Sequence, residues 1–235
     1  MICRMKRKWL LTTAGIVSAI SLLGIILLTG AHIPSFSMWF YYWQYNANDT
    51  YNVVQMYPED LHAVTRHMLD YLLGREYDLQ IYIPVAGEIR PFFGDIEIRH
   101  MIDVQTMTRI SFLVRNIFIG LLVLSLALFF FAKNQWKIFW KSWKWTSAIT
   151  FTTLALLIGL ISLNWNRAWV VFHEIFFNNE YWILRPQVDL LINIVPYQFF
   201  FTLSVFMGIF FAVGCVLMFT VSAIMVRRKR KFSGL

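Results

Sequence analysis

Two short runs of this chain gather side chains able to move protons. In the first, Gly94-Asp95-Ile96-Glu97-Ile98-Arg99-His100-Met101-Ile102-Asp103-Val104, the residues Glu97, His100 and Asp103 step by three. On a helix that spacing sets them near one edge, where a carboxylate can reach and orient an imidazole. The second run, Phe172-His173-Glu174-Ile175-Phe176-Phe177, places another histidine beside an acid and continues through Trp182 to Pro186. An imidazole titrates near 6.5, so it exchanges protons at neutral pH. Taken singly, each has a plainer reading as a hydrogen-bonded structural histidine. The pair is what points to chemistry.

Bringing the two runs together is the task of the elements around them. With 58% hydrophobic and 18% aromatic residues in 235, the chain is too apolar for a soluble domain. Four stretches, 9–29, 110–132, 146–163 and 199–226, are long enough to cross a hydrocarbon core of roughly 30 Å. The first follows a basic start, but its apolar run exceeds the h-region of a cleavable signal and is expected to stay as an anchor. Its exit, Leu28-Thr29-Gly30-Ala31, is lipobox-like but lacks the cysteine that would be lipidated.

Charge orients the spans. Arg4, Lys6, Arg7 and Lys8, then Lys133, Lys137, Lys141 and Lys144, then Arg227, Arg228, Lys229, Arg230 and Lys231 lie between or beyond them with no acid among them. The positive-inside rule puts these segments in the cytoplasm, with both termini inside. The remaining basic residues, all arginine, then share the other side with all 13 acids. The basic excess sits beside spans, where it meets anionic lipid headgroups, and nucleic-acid binding is discounted. Cys3 and Cys215 fall at the cytoplasmic end and in the fourth span, so no disulfide is expected outside.

The expected fold is an all-α membrane protein, a four-helix transmembrane bundle with a small mixed extracytoplasmic cap, read as one domain over 1–235. Outer segments of about 30–109 and 164–198 form the cap and look too short for a core of their own. The aromatic run from Phe36 to Tyr45 reads as an interfacial belt, or alternatively as a wall for acyl chains. Pro58, Glu59 and Asp60 start an amphipathic helix with Leu61, Val64, Met68 and Leu72 on one face and Gly74 as its stop. His62 and His67 flank that face and read as structural. From Asp78 the pattern turns to period two, a hairpin ending near Pro91.

The outer segments contain no lysine and no cysteine. Their few hydroxyl residues, such as Ser35, Ser37, Thr50 and Thr106, lie in no recognisable nucleophile setting. This inventory is compatible with an enzyme whose substrate supplies the nucleophile, which would need none of its own. A metal-dependent hydrolase is the rival, since His100, His173, Asp103 and Glu174 suit zinc. However, no second histidine follows His173 by four, as the usual metalloprotease helix requires. A membrane accessory protein would leave both histidines without a task. Transport is disfavoured by the absence of ionisable residues within the third span and, before Arg227, the fourth.

The pattern Glu97-x-x-His100-Met101-x-Asp103-Val104, with His173-Glu174-x-Phe176-Phe177, Trp182, Pro186, Pro196 and Tyr71-Leu72-x-Gly74, resembles the bacterial lipoprotein intramolecular transacylases, across nearly the whole chain. The resemblance implies transfer of the sn-2 acyl chain of a diacylglyceryl lipoprotein to the α-amine of its own N-terminal cysteine, giving a lyso-form lipoprotein. It implies a multi-pass protein of the bacterial cell membrane, working on its outer side among membrane lipids and without a cofactor or metal. His100 and His173 are the implied catalytic pair. His100 as base and His173 as acid is one assignment, and the reverse is equally open, as is a transient acyl-imidazole. Asp103, Glu97 or Glu174 would orient a ring, and Arg99 or Arg185 would meet an oxyanion. Arg115, about one turn into the second span, would snorkel or hold a headgroup.

Overall fold

In a computed structural model, residues 2–132 and 135–231 are described, with the side chains of 2–4 and 229–231 left aside. Lys133 and the side chains of Cys3, Arg4, Lys229, Arg230 and Lys231 therefore lie outside the described residues. The chain divides into two compact units.

The first unit comprises Met1–Gly30, Leu113–Trp165 and Met207–Leu235. It holds most of α1 (Ile2–Ser35), the later part of α5 (Asp95–Phe131), all of α6 (Trp136–Leu163) and most of α9 (Tyr197–Lys231). These four helices are long and apolar enough to cross a membrane. They outrun the stretches that hydropathy marks because a helix continues through polar turns at each end. At about 1.5 Å per residue, the 37 residues of α5 exceed the bilayer core. Its first turns carry Asp95, Glu97, Arg99, His100, Asp103 and Arg109, which are costly to bury in hydrocarbon.

Lipid tails offer helices no hydrophobic drive to associate, so close backbone approach supplies the packing. A Cβ added at Gly15 would lie 2.7 Å from Ser142 Oγ, and one at Gly214 would lie 2.8 Å from Ile26. Trp143 Nε1 donates to Ser18 Oγ at 2.8 Å. Leu156, Leu160 and Leu163 of α6 remain exposed, as a lipid-facing surface requires.

The second unit comprises Ala31–Phe112 and Asn166–Phe206. It contains α2 (Met38–Ala47), α3 (Thr50–Val54), α4 (Pro58–Leu72), the antiparallel hairpin of β1 (Tyr82–Val85) and β2 (Glu88–Pro91), most of α7 (Trp165–Phe176) and α8 (Leu191–Ile194). α4 starts at Pro58 and buries Leu61, Val64, Met68 and Leu72. It stops at Gly74, whose φ of +73° is the left-handed conformation that closes helices.

The apolar residues of the two outer segments form one shared cluster. Phe40, Tyr45, Leu61, Met68, Leu79, Ile83, Phe92 and Phe93 pack with Leu191, Ile194 and Phe199. The two segments pool what neither could bury alone. Phe40, Tyr41 and Tyr45 of the aromatic run belong to this core, while Trp39 and Trp43 are exposed.

Candidate active site

His100 sits on the second turn of α5, and the start of that helix is anchored from both sides. Ile98 N–H donates to the Gly94 carbonyl, the first helical bond. Glu97 reaches back so that its Oε2 accepts from Gly94 N–H at 2.6 Å, half of a capping box. Its Oε1 accepts from Leu191 N–H at 2.5 Å. Only 2% exposed, Glu97 ties α5 to the start of α8. Burial pushes its carboxyl above the usual range, opposed by the N–H groups of Gly94 and Leu191. Its bonds therefore serve the backbone and do not orient His100.

His173 lies in the last turn of α7 and is 4% exposed. Its Nδ1 is 2.8 Å from the Trp169 carbonyl one turn earlier. A carbonyl only accepts, so Nδ1 carries the proton and Nε2 presents a lone pair. The Trp182 indole stacks on the ring at 4.6 Å and 25°, and Trp169 packs at 4.3 Å.

The two imidazoles meet with ring centroids 6.3 Å apart and planes at 37°. Phe177 packs against both, 5.3 Å from His100 and 5.6 Å from His173. Nδ1 of His100 is buried with no hydrogen-bond partner among the described residues. Burial, followed by the neighbouring His173, lowers the His100 pKa to about 4, with Asp103 opposing. Burial also lowers His173, and there the Trp169 carbonyl opposes it. Both rings are neutral at neutral pH, in different settings.

The remaining candidates divide. Asp103 is near enough to act electrostatically on His100, but its Oδ2 accepts from Asn179 Nδ2 at 2.9 Å. Arg99 lies over the Tyr181 ring at 5.8 Å. Arg185 pairs with Asp189 at 3.7 Å, and exposed Glu174 stands 4.0 Å from Arg167. Arg115 belongs to the first unit. His62 bonds Tyr51 Oη at 2.9 Å and His32 bonds Ser111 Oγ at 2.9 Å. A surface cleft of about 510 Å³ along α4 is lined by Tyr42, Glu59, His62, Arg66, His67 and Asp70, and by neither histidine of the pair.

Sequence reasoning passed over Trp169, although a tryptophan four residues before a histidine on one helix was a usable signal. It also passed over Asn179, for which the sequence offered none.

Four long apolar helices and a small mixed cap carrying a close histidine pair define an integral membrane protein of the α-helical class. The family model described as lipoprotein intramolecular transacylase Lit matches residues 16–200. The chain belongs to that family, and so to the acyltransferases. Among solved structures it is similar to the membrane integral lipoprotein intramolecular transacylase Lit from Bacillus cereus, at 21% identity and a TM-score of 0.78, covering 96% of this chain and 99% of that one. Two structures of the same Bacillus cereus protein with a single histidine substituted give TM-scores of 0.74 and 0.75 at 20% identity. They cover 98% of this chain, and 96% and 98% of theirs. A search among curated proteins finds no match.

Proposed function

We propose that this chain transfers the sn-2 acyl chain of a diacylglyceryl-modified lipoprotein to the α-amine of its N-terminal cysteine, giving the lyso-form, at the outer face of the bacterial membrane. The observation that carries this is the His100–His173 pair at 6.3 Å, with His173 fixed by Trp169 in the tautomer that leaves Nε2 open. The charge distribution of the spans supports the outer placement. The family's descriptive name supports a lipoprotein substrate.

The attacking amine must lose a proton, and Nε2 of His173 is the acceptor the geometry offers. As the new N–C bond forms, the ester carbonyl oxygen gains negative charge. His100 is kept neutral and buries Nδ1 without a partner. A bare acceptor is the less costly group to strand there, which puts the remaining proton on Nε2. A neutral imidazole in that tautomer donates to a developing oxyanion. Collapse breaks the bond to the sn-2 oxygen, and His173 returns its proton to that oxygen. The products are an amide and a free glyceryl hydroxyl, and no proton is consumed overall. His173 thus acts as base and then acid, with His100 as the electrophilic donor. No enzyme nucleophile is required.

The test is tandem mass spectrometry of an N-terminal diacylglyceryl lipopeptide incubated with the membrane-embedded chain. Because the product is an isomer, the intact mass stays constant while fragment ions move one acyl group onto the cysteine amine. His173→Ala and His100→Ala should each abolish the change. If wild-type protein leaves the amine free, the proposal fails.

A further inference from the structure

Asn179 stands in the turn after α7, and three of its polar groups are used. Its Nδ2 donates to Asp103 Oδ2 at 2.9 Å. Its Oδ1 accepts from Tyr181 N–H at 3.0 Å, and its main-chain carbonyl accepts from Trp182 Nε1 at 3.0 Å. The first bond reaches the carboxylate one helical turn from His100, and the third fixes the indole stacked on His173. Around the His100 ring stand Asp103 on its own helix, His173 on α7 and the Phe177 ring.

An aspartate three residues on is a natural acceptor for a histidine, yet Nδ1 of His100 has no bond. Asp103 is held by the amide instead. The Asn179 carboxamide donates to a carboxylate through Nδ2 while accepting from the backbone through Oδ1, two atoms with fixed and opposite roles. Aspartate at position 179 would set two carboxylates against each other, and serine would keep the backbone contact while losing the reach to Asp103.

We infer that Asn179 is a positioning residue of the transfer reaction, its amide restraining the Asp103 carboxylate from the buried Nδ1 of His100 while its main chain seats Trp182 against His173. The inference rests on the proposed acyl transfer. Its consequence is that His100 stays a neutral donor. Freed from Asn179, Asp103 closes on Nδ1: at neutral pH it draws the ring's single proton from Nε2 to Nδ1, so the donor to the oxyanion is lost, and at lower pH it pairs with the protonated ring, which raises histidine pKa values by 1 unit or more as a rough scale.

The experiment uses the full chain in nanodiscs. The imidazole C2–H of His100 is titrated by NMR in wild type, Asn179→Ser, and Asn179→Ser with Asp103→Asn. Turnover of the diacylglyceryl lipopeptide is measured on the same samples. The expected result is a His100 midpoint about one unit higher in Asn179→Ser, restored by Asp103→Asn. With it, kcat at neutral pH falls about tenfold while KM stays within about twofold, the pattern of a lost transition-state contribution. An unchanged midpoint, or one that Asp103→Asn does not restore, overturns the inference. So does a shifted midpoint with unaltered kcat. Should Asn179→Ser misfold, Asn179→Ala, which likewise removes the donor to Asp103, must show the same sign of shift or the inference falls. Absence of turnover by wild type, with the midpoint shift intact, would defeat the acyl-transfer reading and the residue's part in it, while the Asp103 restraint itself would stand.

Discussion

His100 and His173 differ in surroundings more than in chemistry: one has a bare Nδ1 and the other has Nδ1 committed to a carbonyl. Substitutions can separate the two roles. Asparagine at 173 retains an N–H to offer the Trp169 carbonyl but has no Nε2, so His173→Asn should fold and lose turnover by roughly 10²–10⁴-fold, the range for a missing general base. Circular dichroism together with the lipopeptide assay checks both halves. His100 also carries a pH signature in stability. Its folded pKa of about 4 lies below the unfolded value near 6.5. Between these two values the unfolded chain binds more protons than the folded one, so stability is full above about pH 6.5 and declines as pH falls toward 4. His62 and His173, also lowered by burial, add slopes of the same sign. His100→Gln should flatten the thermal-unfolding midpoint across that window without removing the slope entirely.

At the scale of elements, the join between α5 and α8 rests on one carboxylate. Glu97→Ala strands the N–H groups of Gly94 and Leu191 and should cost about 1–3 kcal/mol, chiefly from the buried Leu191 N–H left unpaired. Glu97→Gln keeps an acceptor and should lose less, a ranking that thermal unfolding followed by tryptophan fluorescence can establish. Gly74→Ala tests the end of α4. The added Cβ meets only Arg109 at 3.8 Å, an ordinary contact, so its cost should be the left-handed backbone alone, about 1–2 kcal/mol. Such elements were legible because their signals are local: Pro58 and Gly74 punctuate α4, alternation marks the hairpin, and the apolar windows mark the bundle. The site was legible as two histidines, but their surroundings were not. Glu97 shares a helix edge with His100, and only the fold reveals that Leu191 N–H claims its second oxygen. Asn179 meets Asp103 across 76 positions, a pairing that no periodicity encodes. The cap core escaped for a related reason, because segment length does not disclose that Phe199 will pack on Phe40.

For the whole molecule, the decisive quantity is the sidedness of charge. The second unit, Ala31–Phe112 with Asn166–Phe206, contains no lysine, while every lysine belongs to the termini or to 133–144. Basic residues beside a span resist translocation, whereas acids contribute little, so this asymmetry favours one orientation and disfavours its mirror. A chain emptied of its own thiols by Cys3→Ser and Cys215→Ala reports the outcome with introduced cysteines. Tyr77 is fully exposed in the histidine-bearing unit, and Lys137 is exposed near the start of α6. In intact cells a membrane-impermeant maleimide should label Tyr77→Cys and leave Lys137→Cys untouched until the membrane is permeabilised. The opposite pattern would put the imidazole pair in the cytoplasm, away from any diacylglyceryl lipoprotein exposed on the outer leaflet. The acyl-transfer proposal would then fail even with the geometry of the pair intact.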